Sequence, residues 1–297
     1  LTPVSALFQH AVQTPEEPWL FFRPALDWRW RSWRHLAVQA ATAVERLTAL
    51  DGPLKVAFPV ATTAEAAPDA VVMDLAVQCV GGTAVPVAAQ PGDPAWGDAL
   101  EAAQCTAQLL PPGSLGQAVP GVRAVELPAP PAMFSSQQPP AEPPRDRSGE
   151  AAVVLADGTP LAVPRCLETT ARGFTPLAPA PRRDVLVLAG DFREFAARLL
   201  LTWATQTGAV VLLEPDARLG LAATRWARPT VLWGGLEVLE GWRREARSPS
   251  RWQRRRGCPF APPLDRLRAL LVVGEDALPG GALDFWGRAG VLVLRLV

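Results

Sequence analysis

Residues 150–167 read EAAVVLADGTPLAVPRCL and hold the chain's clearest grouping of residue types suited to ligand chemistry. Ala151 to Leu155 form an apolar, β-branched run with the character of a buried strand, and Asp157, Gly158, Thr159 and Pro160 carry the turn chemistry that ends it. A phosphate needs backbone N–H groups, a hydroxyl and a nearby cation. Gly158, Thr159 and Arg165 supply those groups, with Asp157 heading the turn. An ordinary strand-to-loop turn uses the same residues, so the short glycine motif leaves both readings open.

Other groupings carry less. Between Trp242 and Arg256 lies WRREARSPSRWQRRR, in which Arg243, Arg244, Arg247, Arg251, Arg254, Arg255 and Arg256 suit phosphate contact or a solvated helix end. Arg29, Arg31 and Arg34 interleave with Trp28, Trp30 and Trp33, as in a base-stacking platform, but no longer basic stripe accompanies them and core packing explains the tryptophans. His10 and His35 are isolated, and neither a GxSxG elbow nor a complete GxGxxG occurs. Cys79, Cys105, Cys166 and Cys258 form no CxxC pair, so neither a zinc ribbon nor a small disulfide framework is expected. No residue stands out as a catalytic group or a metal ligand.

Elements that would position the loop follow a regular order. Residues 4–13 have helical spacing and stop at Thr14-Pro15; two strand-like pieces then flank Pro24 to Asp27 as a hairpin. Ser32 is suited to cap a helix through Leu47. Val56 to Val60, a helix through Val71 to Cys79 and Thr83 to Val87 follow in βαβ order, which favours a parallel sheet. A helix over 93–104 and apolar segments at 107–110 and 122–127 complete the first half. After residue 150, strands at 185–188, 209–213, 230–233, 269–273 and 291–296 alternate with helices. The fold class is therefore α/β, with two βαβ-type subdomains of mainly parallel sheet. The second would offer a rim at Ala189-Gly190-Asp191, Glu214-Pro215-Asp216, Gly234-Gly235 and Gly274-Glu275-Asp276. Residues 128–148, PAPPAMFSSQQPPAEPPRDRS, read as a proline-rich linker or surface excursion between subdomains 1–127 and 149–297.

Charge balance bounds the partners. Lys+Arg 29 against Asp+Glu 29 gives no global field to draw in nucleic acid or an anionic membrane, and no apolar run approaches a membrane span. Lys55 is the sole lysine and tyrosine is absent, a skew typical of high-GC bacterial genomes. Without a signal-like start or a disulfide framework, the expected location is the cytoplasm. The first residue is not Met, so the chain reads as a piece of a longer protein or the product of a non-standard start codon.

Taken in order, these landmarks resemble the N-terminal portion of the adenylate-forming superfamily, which includes acyl-CoA synthetases and peptide-synthetase adenylation domains. Leu7-Phe8 with Thr14-Pro15 is similar to its opening helix, Ser32-Trp33-Arg34-His35-Leu36 to its "TYxEL" helix start, and Gly82 to Val87 to its "GAxxVPL" strand. Ala156 to Arg165 stands where that family carries the phosphate loop "TSGTTGxPKG". Val273-Gly274-Glu275-Asp276-Ala277-Leu278-Pro279 resembles the "GGExLP" segment, which would make Gly274, Glu275, Asp276 and Ala277 adenine-pocket residues. The resemblance implies ATP or AMP, with Mg, as ligands and a carboxylic acid as substrate.

Departures from the family pattern are concentrated where the chemistry would be. The second Thr-Gly of the loop is Pro160-Leu161, one residue is inserted, and Arg165 replaces the lysine. No YGxTE motif and no C-terminal catalytic lysine are present. Two expectations follow: a degenerate or truncated AMP-binding domain acting in binding or assembly, with a vestigial site at Asp157, Gly158, Thr159 and Arg165; or a fragment or subunit of an active acyl-CoA ligase completed by a protein partner or a missing C-terminal domain.

Overall fold

Strands that are apolar at nearly every position need cover on both faces, and the computed structural model supplies it with two sheets and helices between and outside them. The structure describes residues 2–23, 27–60, 63, 66–132, 137–155, 158–163, 165, 184–190, 194–216, 219, 224, 226–234, 240–244, 264–273, 280–288 and 290–296. In chain order the elements are α1 (Pro3–Gln13), β1 (Pro18–Phe22), β2 (Arg29–Ser32), α2 (Trp33–Thr48), β3 (Lys55–Pro59), α3 (Ala67–Cys79), β4 (Thr83–Val87), α4 (Pro94–Ala102), β5 (Ala107–Leu110) and β6 (Arg123–Glu126). They continue with β7 (Ala152–Val154), β8 (Pro160–Ala162), β9 (Val185–Ala189), α5 (Phe195–Thr207), β10 (Val210–Glu214), β11 (Val231–Gly234), β12 (Ala269–Val273), α6 (Gly280–Arg288) and β13 (Leu292–Leu296).

Local chemistry sets the helix ends. Thr2 caps α1 by accepting from the Ser5 N–H, Asp93 caps α4 by accepting from the Ala95 N–H, and Gly208 ends α5 in the left-handed region at φ 71°. At α2 the Ser32 hydroxyl accepts from the His35 N–H while the His35 ring accepts from the Ser32 N–H, a reciprocal capping box built with histidine.

One sheet has six strands in the order β6-β5-β3-β4-β7-β8, and the other has seven in the order β13-β12-β11-β9-β10-β1-β2. All neighbours pair in parallel except β7 with β8 and β1 with β2. Successive residues of a strand face opposite sides, and the burial follows this rule. Leu186 and Leu188 enter the large central core with Leu7, Leu36 and Leu200, whereas Val187 and Ala189 enter a second core with Trp242 and Trp286. On the outer face of the six-stranded sheet, Ala57, Val85 and Leu110 pack with Trp96 and Leu100 of α4. Helices α1, α2, α3 and α5 thus share the core between the sheets.

Sheet membership crosses the expected boundary at 128–148. Strands β7 and β8, from the second half of the chain, extend the six-stranded sheet, and β1 and β2, from the first half, extend the seven-stranded one. The cause is non-local pairing: Leu20 to Phe22 find their parallel partners in Val211 to Leu213. A division at 128–148 is therefore not a division between the sheets. Both ends of the proline-rich stretch are tied to the first half of the chain, with Gln39 Nε2 donating to the Pro128 carbonyl at 2.8 Å and the Arg147 N–H to the Cys79 carbonyl at 2.8 Å.

Candidate functional site

The phosphate-loop candidate closes as a tight hairpin. Val153 pairs with Leu161 and Val154 with Pro160, so Pro160 to Ala162 form a returning strand where the sequence suggested open loop. Within the turn, the Gly158 N–H donates to the Leu155 carbonyl at 2.9 Å, and the Leu155 N–H donates to the Thr159 carbonyl at 2.9 Å. Gly158 sits at φ 83°, and a Cβ built there meets nothing within 4 Å. Glycine suits this backbone conformation, and no protein atom crowds it. Gly158, Thr159 and Arg165 are all exposed; Asp157 lies outside the described residues. The Gly158 N–H is thus committed to the turn's own carbonyl, and Pro160 brings no N–H.

The second candidate group lies at the carboxyl ends of parallel strands β1, β9, β10 and β11, where Arg23, Gly190, Glu214 and Gly234 follow or end them. The Gly190 N–H donates to the Glu214 carbonyl at 3.0 Å. Gly190 has φ 140°, and a Cβ there would come within 3.4 Å of the Trp233 ring. Gly274, Glu275, Asp276 and Ala277, the adenine-pocket candidates, lie outside the described residues, as do Asp191 and Gly235.

Glu214 is the chemically notable member of this rim. It is 2% exposed, its Oε1 accepts from the Asp216 N–H at 3.3 Å, and its Oε2 lies 3.7 Å from Arg23 Nη2 with no hydrogen-bond donor among the described residues. Burial pushes its carboxyl up from the ordinary range; the Asp216 N–H and the Arg23 charge oppose that rise, and the Asp216 carboxylate adds to it. Arg23 in turn lies over the Trp28 ring at 5.5 Å, and Trp28 stacks on Trp226 at 4.5 Å. Sequence order placed Glu214 on this rim, but its burial and its pairing with Arg23 had no local signal, because the partners come from β1 and β10.

A further buried polar group forms around the start of α2. Ser32 Oγ lies 2.6 Å from His35 Nδ1, and Gln39 Nε2 donates to Asp69 Oδ1 at 3.1 Å. Burial first, then the nearby Arg31 and Arg34 charges, lower the His35 pKa against the opposing pull of the Ala132 carbonyl and Glu16. Burial raises that of Asp69 against the opposing effects of Gln39 and Arg31. Trp19 and Trp33 are fully buried and stacked at 4.4 Å, whereas Trp28 and Trp30 are half-buried; Arg31 lies over Phe22, and Arg34 pairs with Glu16 at 2.6 Å. Of the arginine cluster, Arg243 pairs with Glu240 at 2.7 Å and Arg244 is exposed; Arg247, Arg251, Arg254, Arg255 and Arg256 lie outside the described residues. The Cys79 thiol is pushed up to about 12 by burial, with the Asp146 charge adding and the hydrogen bond to Arg145 opposing, and burial pushes Cys105 to about 11, so neither is a reactive thiolate. Among the described residues, no three His, Cys, Asp or Glu side chains group as a metal site, and no helix is long and apolar enough to cross a membrane.

Comparison with known proteins places this architecture. No family model matches the sequence, and no curated protein matches it. Solved structures do match in fold. The inhibitor-bound N-terminal domain of FACL13 from Mycobacterium tuberculosis superposes with TM-score 0.69 at 14% identity, over 100% of this chain and 75% of that one. The nonribosomal peptide synthetase FmoA3, bound to AMPPNP, gives 0.69 at 19% identity, over 99% of this chain but 31% of its own. The O-succinylbenzoate coenzyme A synthetase MenE from Bacillus subtilis, unliganded, gives 0.67 at 14% identity, over 97% of this chain and 57% of its own. The chain thus has the fold of the N-terminal region of adenylate-forming enzymes and spans part of their length.

Proposed function

We propose that this chain is a degenerate AMP-binding-type domain that acts in binding or assembly and forms no acyl-adenylate by itself. The observation that carries this reading is the hairpin at 155–159: the N–H of Gly158, the residue kept from a phosphate-binding loop, is bonded to Leu155, and the next strand begins with Pro160. Activating a carboxylic acid with ATP requires the phosphates and the carboxylate to be held together with their charge neutralised. A loop whose N–H groups bond to its own carbonyl oxygens is poorly suited to that task. Arg165 remains exposed near the hairpin and supplies a charge for a weak or vestigial anion site with Asp157, Gly158 and Thr159. In this reading Gly274, Glu275, Asp276 and Ala277 are the residues toward which an adenine would be directed.

The test is pyrophosphate release from ATP and Mg with a panel of carboxylic acids. No turnover above a protein-free control is expected; robust turnover by the chain alone overturns the proposal. Adding a lysine-bearing C-terminal domain from an adenylate-forming enzyme separates the other reading, since turnover only in that mixture would identify the chain as a subunit of an active ligase.

A further inference from the structure

At the amino-terminal ends of β3 and β4, opposite the strand ends considered above, the protein has a cavity of about 330 Å³ between the loop after α2, the turn after α3 and the segment preceding β7. Its polar lining comes from Thr48, Thr83, Arg145, Arg147 and Glu150. None of these side chains has a hydrogen bond or ion pair to the protein among the described residues. Two guanidiniums, two hydroxyls and a carboxylate thus border one polar space, without a partner among the described residues.

The backbone carrying the arginines is pinned. The Arg147 N–H donates to the Cys79 carbonyl at 2.8 Å, Cys79 Sγ donates to the Arg145 carbonyl at 2.8 Å, and the Glu150 N–H donates to the Arg147 carbonyl at 2.8 Å. Between them, the Asp146 carboxylate accepts from the Ser148 N–H at 3.1 Å and from the Ser5 hydroxyl. Gly81 makes this docking sterically feasible: a Cβ there would lie 2.9 Å from Arg147 Cβ and 3.0 Å from its carbonyl oxygen. The backbone positions of both arginines are therefore set by the fold.

We propose that this cavity binds a small phosphomonoester bearing free hydroxyl groups, of the sugar-phosphate class. Paired guanidinium forks suit the oxygens of a phosphate. Glu150 repels a bare anion but accepts from hydroxyls, so its presence beside Arg145 and Arg147 selects a ligand with both kinds of group. The cavity size falls at the lower end of small-molecule sites, which begin near about 300 Å³. This inference is independent of the adenylate-type reading, because it uses other residues, at the amino-terminal ends of β3 and β4.

Isothermal titration calorimetry with ribose 5-phosphate, ribose and inorganic phosphate tests it. Ribose 5-phosphate is expected to bind at least tenfold more tightly than inorganic phosphate, and ribose not measurably. Arg145→Met and Arg147→Met should each weaken ribose 5-phosphate at least tenfold, while Glu150→Ala should weaken ribose 5-phosphate and strengthen inorganic phosphate. The substituted side chains are exposed, and unchanged circular dichroism and melting would show that the variants fold. Absence of ribose 5-phosphate binding, equal affinity for inorganic phosphate, or binding insensitive to both arginine substitutions would each overturn the proposal.

Discussion

Arg198 on α5 donates through Nε to Asp74 Oδ2 on α3 at 3.1 Å, joining residues 124 positions apart in the layer between the two sheets. The second guanidinium arm, Nη2, also bonds this carboxylate, and the side chains are 9% and 15% exposed. Arg198 Nη1 has no acceptor among the described residues. Arg198→Met leaves Asp74 charged and nearly buried, and is expected to cost about 3–5 kcal/mol in urea unfolding. The double variant Arg198→Met with Asp74→Leu should recover most of that loss. A single variant within about 0.5 kcal/mol of the parent would show that the pair does not hold the layers together.

Glu214 should make the protein less stable as pH rises. A carboxyl with a raised folded pKa binds its proton more tightly when folded. Its contribution is therefore fully present below the ordinary glutamate pKa and is lost as pH rises to the raised one. Glu214→Gln removes that loss, so the variant should gain on the parent across this window and keep the advantage at neutral pH. A difference between the two urea midpoints that does not change with pH would refute the assignment.

His35 acts in the opposite direction. Its lowered pKa means that the folded state holds the ring neutral, so stability falls as pH drops below the ordinary histidine range, through about 6.5. Protonation turns Nδ1, which accepts from the Ser32 N–H at 3.3 Å, into a donor and breaks the capping box. His35→Gln restores a Ser-x-x-Gln box without a titrating group. The variant should show a flatter stability profile between about pH 7 and pH 5, read as melting temperature, and an unchanged slope would count against the histidine.

Two glycines with similar torsions should respond differently to alanine. Gly158→Ala imposes strain at φ 83° but meets no neighbour, so a loss of about 1 kcal/mol is expected. Gly81→Ala adds a contact of 2.9 Å with Arg147 Cβ to a φ of 70°, and should cost roughly 2–4 kcal/mol. Equal losses in denaturant titrations would mean that the 145–150 segment yields freely.

Much of the α/β organisation was legible from local pattern. The apolar runs that became β3, β4, β9, β10, β11 and β12 are visible because a strand covered on both faces needs apolar residues throughout. Ser32 marked the start of α2 because its hydroxyl can accept from a free N–H at a helix terminus. Glycine and proline located the turn after β7 for the same local reason: each restricts or frees φ independently of what lies far away.

The conformation of that turn was decided in three dimensions. Asp157, Gly158, Thr159 and Arg165 suggest a phosphate loop by residue type; in the folded chain Val154 pairs with Pro160 and the Gly158 N–H bonds to the Leu155 carbonyl. Likewise, nothing local in the β1 sequence PWLFF assigns it to a sheet formed mostly by residues after 184. Strand partners are chosen by hydrogen bonding and burial between distant segments, so residue pattern specifies which pieces form strands, while only the folded chain selects their neighbours and brings Arg23 to Glu214 or Arg145 and Arg147 to one cavity.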